Sequence, residues 1–221
     1  MKTFQQLLEG IYDPNIFKAV FLAGGPGSGK SYVVSKVVSG MGLKVINSDE
    51  PFERYLVKAG LSLKMPDEEQ AERDIERKRA KKVTAAKKGH AIDGRLGIII
   101  DGTGKNYDKI EKQMRELQQL GYDTHMIFVN TSLDVALQRN EERPRKLPES
   151  LVVKSWNEVQ KNIGKFQNLF RDRFIIVDNN DANKPPHIEV FKRVKQLSNK
   201  KVTNGIAKRW IANELEMKKR V

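Results

Sequence analysis

The chain has 221 residues, which is enough for one domain of ordinary size, or for one domain with an appendage. It contains no cysteine, so disulfides, thiolate metal sites and a cysteine nucleophile are all excluded. No apolar run approaches the ~20 residues that span a bilayer, and residues 1–10 lack the apolar core of a signal peptide, so we expect a cytoplasmic protein that contacts no membrane. The 41 Lys and Arg exceed the 28 Asp and Glu by 13, which indicates a polyanionic partner or substrate.

The first predicted elements are a strand, a glycine-rich loop and a helix. Residues 17–23 form a mainly apolar run typical of a buried strand, and residues 24–29 are rich in glycine. From Lys30 onward, valines recur at helical spacing. A second short strand over 43–46 and a helix over 50–59 follow.

A highly charged segment over residues 66–88 predicts one long, exposed helix. It has only Ala71, Ile75, Val83 and a few further alanines to bury, so we expect these side chains to face the rest of the molecule. The helix should therefore pack only weakly and on one side.

The remaining elements continue the alternation of strands and helices. Strands are predicted over 98–101, 124–129 and 174–177, and helices over 110–120, 133–139 and 152–170. The last of these helices has one apolar stripe: Val152, Trp156, Val159, Ile163, Phe166 and Phe170. This alternation predicts an α/β fold in which helices cover both faces of a parallel sheet.

The C-terminal segment carries much of the excess charge. Residues 182–221 contain 11 Lys and Arg against 3 Asp and Glu, which leaves a net charge of +8. The pattern is helical, and the last helix has an apolar face that should dock on the domain: Ile206, Trp210, Ile211 and Leu215. We therefore expect a domain over 1–200 and a basic helical extension over 201–221.

The segment Gly24–Ser31 fits the phosphate-binding pattern G-x-x-x-x-G-K-[ST] between a predicted strand and a predicted helix. Glycines let successive N–H groups point into one concavity, and the helix N-terminus adds partial positive charge. Lys30 would reach the β- and γ-phosphates, and the Ser31 hydroxyl would bind Mg²⁺. The predicted nucleotide-binding residues here are Gly25, Pro26, Gly27, Ser28, Gly29, Lys30 and Ser31. The alternative is a glycine-rich turn without a ligand.

Two aspartates follow predicted strands at the same edge of the sheet as this loop. Asp101 ends an apolar strand and could hold Mg²⁺, although it could also serve only as a turn residue. Asp49 follows the second strand and could accept a proton from a hydroxyl nucleophile, or simply cap the next helix.

An arginine-rich segment over 139–148 follows the fourth strand and its short helix. Prolines at 144 and 148 predict a loop that could close over a nucleotide. A guanidinium on such a lid would stabilise the charge of a transferring phosphoryl group. Arg139 and Arg143 are both candidates for this contact, and a solvated loop is the alternative.

Taken together, these residues resemble the P-loop kinases grouped around bacteriophage polynucleotide 5′-hydroxyl kinase and the zeta-toxin family. The resemblance rests on Gly24–Ser31, the Asn47-Ser48-Asp49 turn, residues 99–106 and the arginine segment followed by an amphipathic helix. It implies a three-layer P-loop kinase fold with five parallel strands, in which the second and third strands lie on one side of the first. It also implies that Asp49 is the general base.

One position departs from the polynucleotide kinases. They place an arginine three residues after the catalytic aspartate, whereas this chain has Phe52 there and reaches arginine only at Arg54. Residues 49–88 occupy the place where such kinases build the acceptor site. We expect Asp49, Arg54 and Thr103 on the acceptor side.

The sequence therefore predicts an ATP- and Mg²⁺-dependent kinase with a hydroxyl acceptor. The net charge favours a nucleic-acid 5′-hydroxyl, ahead of a sugar nucleotide such as UDP-N-acetylglucosamine, which zeta toxins phosphorylate, and of a small nucleoside or metabolite. A nucleotide-dependent switch is a further alternative, because residues 101–104 fit D-x-x-G, although no guanine-reading N-K-x-D segment occurs. A non-catalytic protein that binds nucleotide and nucleic acid is the last.

Overall fold

The computed structural model describes residues 10–37, 41–143, 146–181 and 187–219. Its five strands are β1 (Lys18–Ala23), β2 (Lys44–Ile46), β3 (Ile98–Asp101), β4 (Asp123–Asn130) and β5 (Phe174–Asp178). They form one parallel sheet in the order β2-β3-β1-β4-β5. The predicted α/β class is confirmed, and so is the placement of the second and third strands on one side of the first.

Eight helices occur in the described ranges, and none of them is long and apolar enough to cross a membrane. They are α1 (Lys30–Val37), α2 (Asp49–Lys58), α3 (Gln70–Asp93), α4 (Tyr107–Gln119), α5 (Leu133–Glu141), α6 (Glu149–Phe170), α7 (His187–Asn199) and α8 (Gly205–Lys219). Single 3-10 turns at Asp67–Glu69 and Arg171–Arg173 precede α3 and β5.

The sheet is buried on both faces because side chains alternate along each strand. On one face, Phe21, Met126 and Phe128 pack with buried side chains of α4, α6 and α8. On the other face, Val20 and Ile127 pack with α1 and α7. This three-layer arrangement directs the loops after β1, β2 and β3 to one edge of the sheet.

Helix α3 has the predicted length and charge, but only part of its predicted buried face is correct: an alanine is buried, whereas Ala71, Ile75 and Val83 are not. Ile75 and Val83 are 63% and 42% exposed, and Ala71 is exposed as well. The residues that α3 buries are Arg73, Ala80 and Ala91. Ala80 lies against Phe52 and Leu56 of α2, because an alanine lets the two helices approach closely.

Helix α8 docks on the domain, as predicted, but not through every predicted residue. Ala207 is fully buried, and Trp210 meets the edge of Phe17 with ring centroids 5.5 Å apart. Ile206 and Leu215 are instead exposed. The helix is held by its smaller apolar residues and by Trp210 and Ile211, which pack against the core.

Candidate active site

The loop after β1 has the curled backbone that a phosphate cradle requires. Gly27 and Gly29 have φ values of +74° and +86°, which side-chain-bearing residues rarely adopt. A Cβ on Gly27 would lie 2.3 Å from the carbonyl oxygen of Ala136, and one on Gly29 would lie 2.3 Å from Nδ2 of Asn179. Both conformation and space therefore require glycine here, and the loop runs directly into the N-terminus of α1.

Lys30 is folded back onto this loop. Its Nζ donates hydrogen bonds to the carbonyl oxygens of Gly24 and Gly25, at 2.6 and 3.0 Å. Burial is the main reason that the pKa of Lys30 is lowered to about 8, and the charge of Arg143 lowers it further, while Asp101 opposes the shift. A partly desolvated ammonium in a glycine cradle fits the phosphates of a nucleotide.

Asn179, directly after β5, supports the phosphate loop by a hydrogen bond. Its Nδ2 donates to the carbonyl oxygen of Ser28 at 2.7 Å, and its own carbonyl oxygen accepts a hydrogen bond from Nη1 of Arg139 at 2.9 Å. The guanidinium of Arg139 therefore helps to hold Asn179 in place beneath the phosphate loop. Arg143 is exposed and close enough to influence the pKa of Lys30. The two candidate arginines thus differ in position. Arg139 is bonded to the residue that supports the loop, and Arg143 is exposed near Lys30.

The two predicted carboxylates are joined by Asn47. Its Nδ2 donates to Oδ2 of Asp101 at 2.6 Å, and its Oδ1 accepts from the backbone N–H of Asp49 at 2.7 Å. Burial raises the pKa of Asp101, and the nearby charge of Lys30 opposes that rise. The structure therefore brings Lys30, Asp49 and Asp101 into one crevice.

The donor set near Lys30 is consistent with Mg²⁺. Ser31 is exposed at the start of α1, and Asp101 supplies a carboxylate, and both are oxygen ligands of the kind that Mg²⁺ takes. Within the described residues, no group of three or more His, Asp or Glu side chains is arranged to hold a metal. Mg²⁺ bound mainly through substrate phosphates and water needs no such group.

Asp49 is paired with an arginine that the sequence did not indicate. Nη1 of Arg77, on α3, lies 2.9 Å from Oδ1 of Asp49, and its guanidinium stacks 3.6 Å from the ring centroid of Phe52. Phe52 is buried between α2 and α3. The position three residues after Asp49 is thus a core position, and the arginine beside Asp49 comes from the neighbouring helix.

The other two predicted acceptor residues differ in position. Thr103 accepts a hydrogen bond from the N–H of Gly24 at 3.1 Å and lines the cavity beside Asp101. Arg54 is exposed on α2, five residues after Asp49 and therefore roughly 140° away around the helix. Neither Arg54 nor Asp49 lines that cavity, but Asp49 is connected to Asp101 through Asn47, whereas Arg54 is not.

The cavity beside Asp101 has a volume of about 580 Å³ and lies between α3 and the start of α4. Four lysines line it: Lys81, Lys88, Lys105 and Lys109. Burial lowers the pKa of Lys88, and the positive charge of Lys109 lowers it further, although Glu116 opposes this. Like charges held this close favour an anionic occupant.

The predicted lid over 139–148 is described except at residues 144 and 145, which lie outside the described residues. Asn140 is buried and exchanges two hydrogen bonds with the backbone of Leu147, at 2.8 and 3.1 Å. Lys146 pairs with Glu141 at 2.8 Å. These contacts tie both ends of the segment together, and its closure over a nucleotide stays a prediction.

Three residues of the crevice were not identified from sequence: Asn47, Arg77 and Asn179. Asn47 could have been found, since a polar side chain directly after a strand at this edge of a parallel sheet is a site signal. Arg77 is 28 residues away from Asp49, with which it is paired. Asn179 is 150 residues away from Gly29, beside which it lies. No local pattern marks them.

Solved structures with a similar fold include several kinases. The structure of the PezAT chromosomal toxin–antitoxin system of Streptococcus pneumoniae matches with a TM-score of 0.56 at 15% identity, covering 82% of this chain and 84% of that chain. A gluconokinase from Sinorhizobium meliloti matches with a TM-score of 0.50 at 16% identity, covering 83% and 93%. A chain of the Pnkp1/Rnl/Hen1 RNA repair complex matches with a TM-score of 0.54 at 20% identity, covering 69% of this chain and 47% of that chain. These likenesses show the fold, which is that of the P-loop kinases.

Sequence comparison is more specific than the likeness of folds. No curated protein sequence matches the chain. The family model described as zeta toxin, however, matches residues 12–190. That range includes the phosphate loop, both carboxylates, the arginine segment and α6. The chain therefore belongs to the zeta toxin family.

Proposed function

We propose that this protein is an ATP- and Mg²⁺-dependent kinase that phosphorylates a hydroxyl group of a phosphate-bearing acceptor. One observation carries the proposal: the glycine loop holds Lys30 close to two carboxylates, Asp49 and Asp101, which Asn47 links by hydrogen bonds of 2.7 and 2.6 Å. A phosphate cradle, a metal-binding carboxylate and a proton acceptor are the parts that phosphoryl transfer to a hydroxyl needs.

Each of these residues has a distinct role in the proposed reaction. Bound Mg²⁺–ATP supplies the phosphoryl group and neutralises charge on its oxygens. Lys30 exchanges its bonds to the carbonyls of Gly24 and Gly25 for bonds to phosphate oxygens. Ser31 and Asp101 hold the metal, and Asp49 accepts the proton of the acceptor hydroxyl at a carboxylate oxygen.

Of the two arginines, Arg143 is the better candidate for the contact with the transferring phosphoryl group. Arg139 donates to the backbone of Asn179 and so supports the loop. Arg143 is exposed beside Lys30, where a guanidinium can move without breaking a contact that holds the loop. We infer that Arg143 stabilises the transition state and that Arg139 positions the nucleotide site.

The cavity beside Asp101 supports an acceptor that carries its own phosphate. Its volume of about 580 Å³ is in the range of small-molecule sites, and its four lysines would neutralise phosphate groups. A sugar nucleotide such as UDP-N-acetylglucosamine, which the resemblance to zeta toxins implies, has both the diphosphate and a free hydroxyl. This substrate is our first candidate.

A nucleic-acid 5′-hydroxyl is the second candidate, because the same lysines could bind a phosphodiester. The sequence ranked it first because of the net charge. However, the basic residues Arg193, Lys200 and Lys201 of the C-terminal segment line a different cavity, at the other end of the sheet. These three basic residues of the C-terminal segment therefore do not face the acceptor cavity.

The proposal is tested by phosphate transfer from labelled ATP with Mg²⁺ to three acceptors: UDP-N-acetylglucosamine, a 5′-hydroxyl oligonucleotide and free nucleosides. We expect Asp49→Asn and Lys30→Ala to abolish transfer to the acceptor that the wild type uses. Glu50→Gln is the matched control, since Glu50 is the exposed neighbour of Asp49 and should be replaceable without loss. Transfer that survives both Asp49→Asn and Lys30→Ala would contradict the assigned roles.

The acceptor site is tested separately by paired lysine substitutions on α3. Lys81→Ala with Lys88→Ala removes two cavity-lining charges, whereas Lys82→Ala with Lys87→Ala removes two exposed charges that do not line it. We expect the first pair to raise KM for a phosphate-bearing acceptor by about tenfold, with little change in kcat, because these charges bind the acceptor and do not touch the reacting atoms. Equal effects of the two pairs would mean that the cavity does not bind acceptor phosphate.

A further inference from the structure

A second cavity, of about 210 Å³, lies at the opposite end of the sheet from the phosphate loop. Lys18 and Asp123, which line it, are the first residues of β1 and β4, whereas the phosphate loop follows the last residue of β1. The strand places the two sites roughly 17 Å apart. The cavity is therefore separate from the proposed active site.

Positive charge dominates this cavity. Five lysines and arginines line it: Lys18, Arg173, Arg193, Lys200 and Lys201. Only two carboxylates, Asp123 and Asp172, line it as well. Across the described residues, Arg193, Lys200 and Lys201 form no ion pair, so their charge is not neutralised locally.

Asp123 is already engaged. Its two carboxylate oxygens accept hydrogen bonds from the backbone N–H and hydroxyl of Thr203, both at 2.6 Å, and from the N–H of Asn204 at 3.1 Å. Arg173 approaches it only to 3.9 Å. This carboxylate stabilises the start of α8, and its charge together with that of Asp172 leaves the five cations in excess.

His125, on β4, is a buried polar residue that lines this cavity. The residue is only 9% exposed, and its buried Nδ1 has no hydrogen-bond partner among the described residues, so only the other ring nitrogen is left to meet a ligand. Buried polar atoms are almost always paired, because leaving one unpaired is costly. Burial lowers the pKa of His125 to about 4, and the cations Arg173, Lys200 and Lys18 lower it further, against the effect of Asp123. The imidazole is therefore neutral at pH 7 and able to donate one hydrogen bond.

We propose that this cavity binds a phosphate-bearing anion of the size of inorganic phosphate or a phosphate monoester, with His125 and the surrounding lysines and arginines as its donors. A dianion balances several cations at once, and its oxygens accept hydrogen bonds from several directions. The innermost groups, Lys18 and His125, are buried and can be reached only by a group that enters the cavity. A monoester can enter in this way, whereas a continuous phosphodiester chain would run across the exposed lysines outside it. The site is independent of the proposed kinase activity.

The test uses the full chain with its three histidines isotopically labelled, titrated with inorganic phosphate and followed by NMR of the imidazoles. Mg²⁺ and a non-hydrolysable ATP analogue are kept at saturation, so that phosphate does not compete for the loop at Lys30. We expect a saturable shift of the His125 resonance. Because this signal is local, it remains informative even if the chain does not bind ATP, which separates this proposal from the proposed function.

Two double variants identify the donors. Arg193→Ala with Lys200→Ala should weaken phosphate binding about tenfold or more, since each removes a charged donor from the cavity. Lys192 and Lys195 lie on the same helix as Arg193 but do not line the cavity. The double variant Lys192→Ala with Lys195→Ala should therefore change the affinity for phosphate less than about twofold. Equal weakening by the two double variants would overturn the site, because it would reveal only diffuse attraction. An unchanged His125 resonance would also overturn it.

The source of the phosphate is distinguished by a second pair of probes. Methyl phosphate, a dianionic monoester, should bind at least as tightly as inorganic phosphate, and dimethyl phosphate, a monoanionic diester, should bind much more weakly. Preference for inorganic phosphate over methyl phosphate would assign the site to the free ion, which also supports the proposal. Preference for dimethyl phosphate or for an oligonucleotide would overturn it in favour of nucleic-acid binding.

Discussion

A buried lysine and a half-buried lysine, on opposite sides of β1 along the chain, have similar physical chemistry and different roles. Lys18 begins the strand, and Lys30 lies beyond the loop that follows it. Burial is the main reason that each has a pKa lowered to about 8. Each ammonium also donates to two backbone carbonyls. A lowered pKa and carbonyl partners therefore do not by themselves identify a functional lysine.

The partners of each lysine separate the two roles. Lys18 joins the carbonyl of Pro14 to that of Ser198, which is 180 residues away, and so holds the end of α7 against the sheet. Lys30 bonds only to the loop that precedes it, at Gly24 and Gly25. Removing bonds within one short loop does not open the fold, so Lys30 can exchange them for a ligand, whereas Lys18 cannot release its partners without undocking a helix.

The largest expected contrast comes from one substitution made at both lysines. Lys30→Met should reduce phosphate transfer by about 100- to 1,000-fold, because it removes a charge that acts on the transferring group. It should change the free energy of unfolding less than Lys18→Met does, because the two carbonyls that lose a donor lie in one short loop and do not join distant segments. Lys18→Met should instead lower the free energy of unfolding by about 2 kcal/mol, because two carbonyls lose their donor.

Urea unfolding and turnover per folded molecule measure both effects. If Lys18→Met reduces turnover as much as Lys30→Met while the chain stays folded, the division between a structural and a functional lysine is wrong. Lys58→Ala, at an exposed position of α2, serves as the control for loss of one positive charge.

The second prediction concerns the stability of the end of the sheet that contains Lys18. His125 has a pKa of about 4 in the folded chain, against 6.5 for an ordinary histidine. The unfolded chain therefore binds a proton first as the pH falls, and stability is lost between about pH 6.5 and pH 4. The loss due to this residue should reach about 3 kcal/mol.

The measurement is the free energy of unfolding against pH in phosphate-free buffer, for the wild type and His125→Gln. The difference between the two isolates His125 from the carboxylates that titrate in the same range. An unchanged pH dependence in His125→Gln would show that the imidazole is not buried in its neutral form.

The sequence was sufficient for the features that local patterns encode. The buried strand β1, the glycine loop and Asp101 at the end of β3 follow from apolar runs and from residues at fixed spacing. The placement of the second and third strands on one side of the first followed from the family resemblance. Helix α3 shows where patterns fail. The pattern suggested Ile75 and Val83 together with some alanines as its buried face, but of these α3 packs on α2 through Ala80, because a small residue lets two helices approach closely.

The site was predicted less completely than the fold, and for a related reason. Lys30, Asp49 and Asp101 each end or follow an element, so their shared edge could be deduced from parallel topology. The side chains that position them come from distant segments: Arg77 on α3 reaches Asp49, and Asn179 after β5 reaches the phosphate loop. Such contacts depend on helix packing that the sequence does not show residue by residue.

The third prediction uses the lowered pKa of Lys30 itself. At pH 7 nearly all of Lys30 is protonated, and at pH 9 only about a tenth is, given a pKa of about 8. ATP binds the protonated form, so its affinity should fall about tenfold between these values, and binding at pH 8 should take up protons. Lys18 titrates over the same pH range and is therefore the control. Because Lys18 does not bind ATP, Lys18→Met should leave the pH dependence of ATP affinity intact. Titration calorimetry in two buffers of different ionisation enthalpy measures the proton uptake. If Lys18→Met loses the pH dependence of ATP affinity, Lys18 and not Lys30 causes it.

The smallest expected effect tests how the active-site end is positioned. Arg77 and Asp49 form a partly exposed ion pair, with side chains 29% and 53% exposed, so it is worth only about 1 kcal/mol. Arg77→Ala should therefore lower kcat about fivefold, because the carboxylate that accepts the proton is less well oriented. The KM for ATP should change little, because Arg77 contacts Asp49 and Phe52 and not the phosphate loop. Arg79→Ala is a close control, since Arg79 stacks on Tyr55 between the same two helices but does not touch Asp49. Partial recovery in Arg77→Lys would show that charge at this point orients Asp49, whereas equal losses in Arg77→Ala and Arg79→Ala would mean that both arginines only hold α3 against α2.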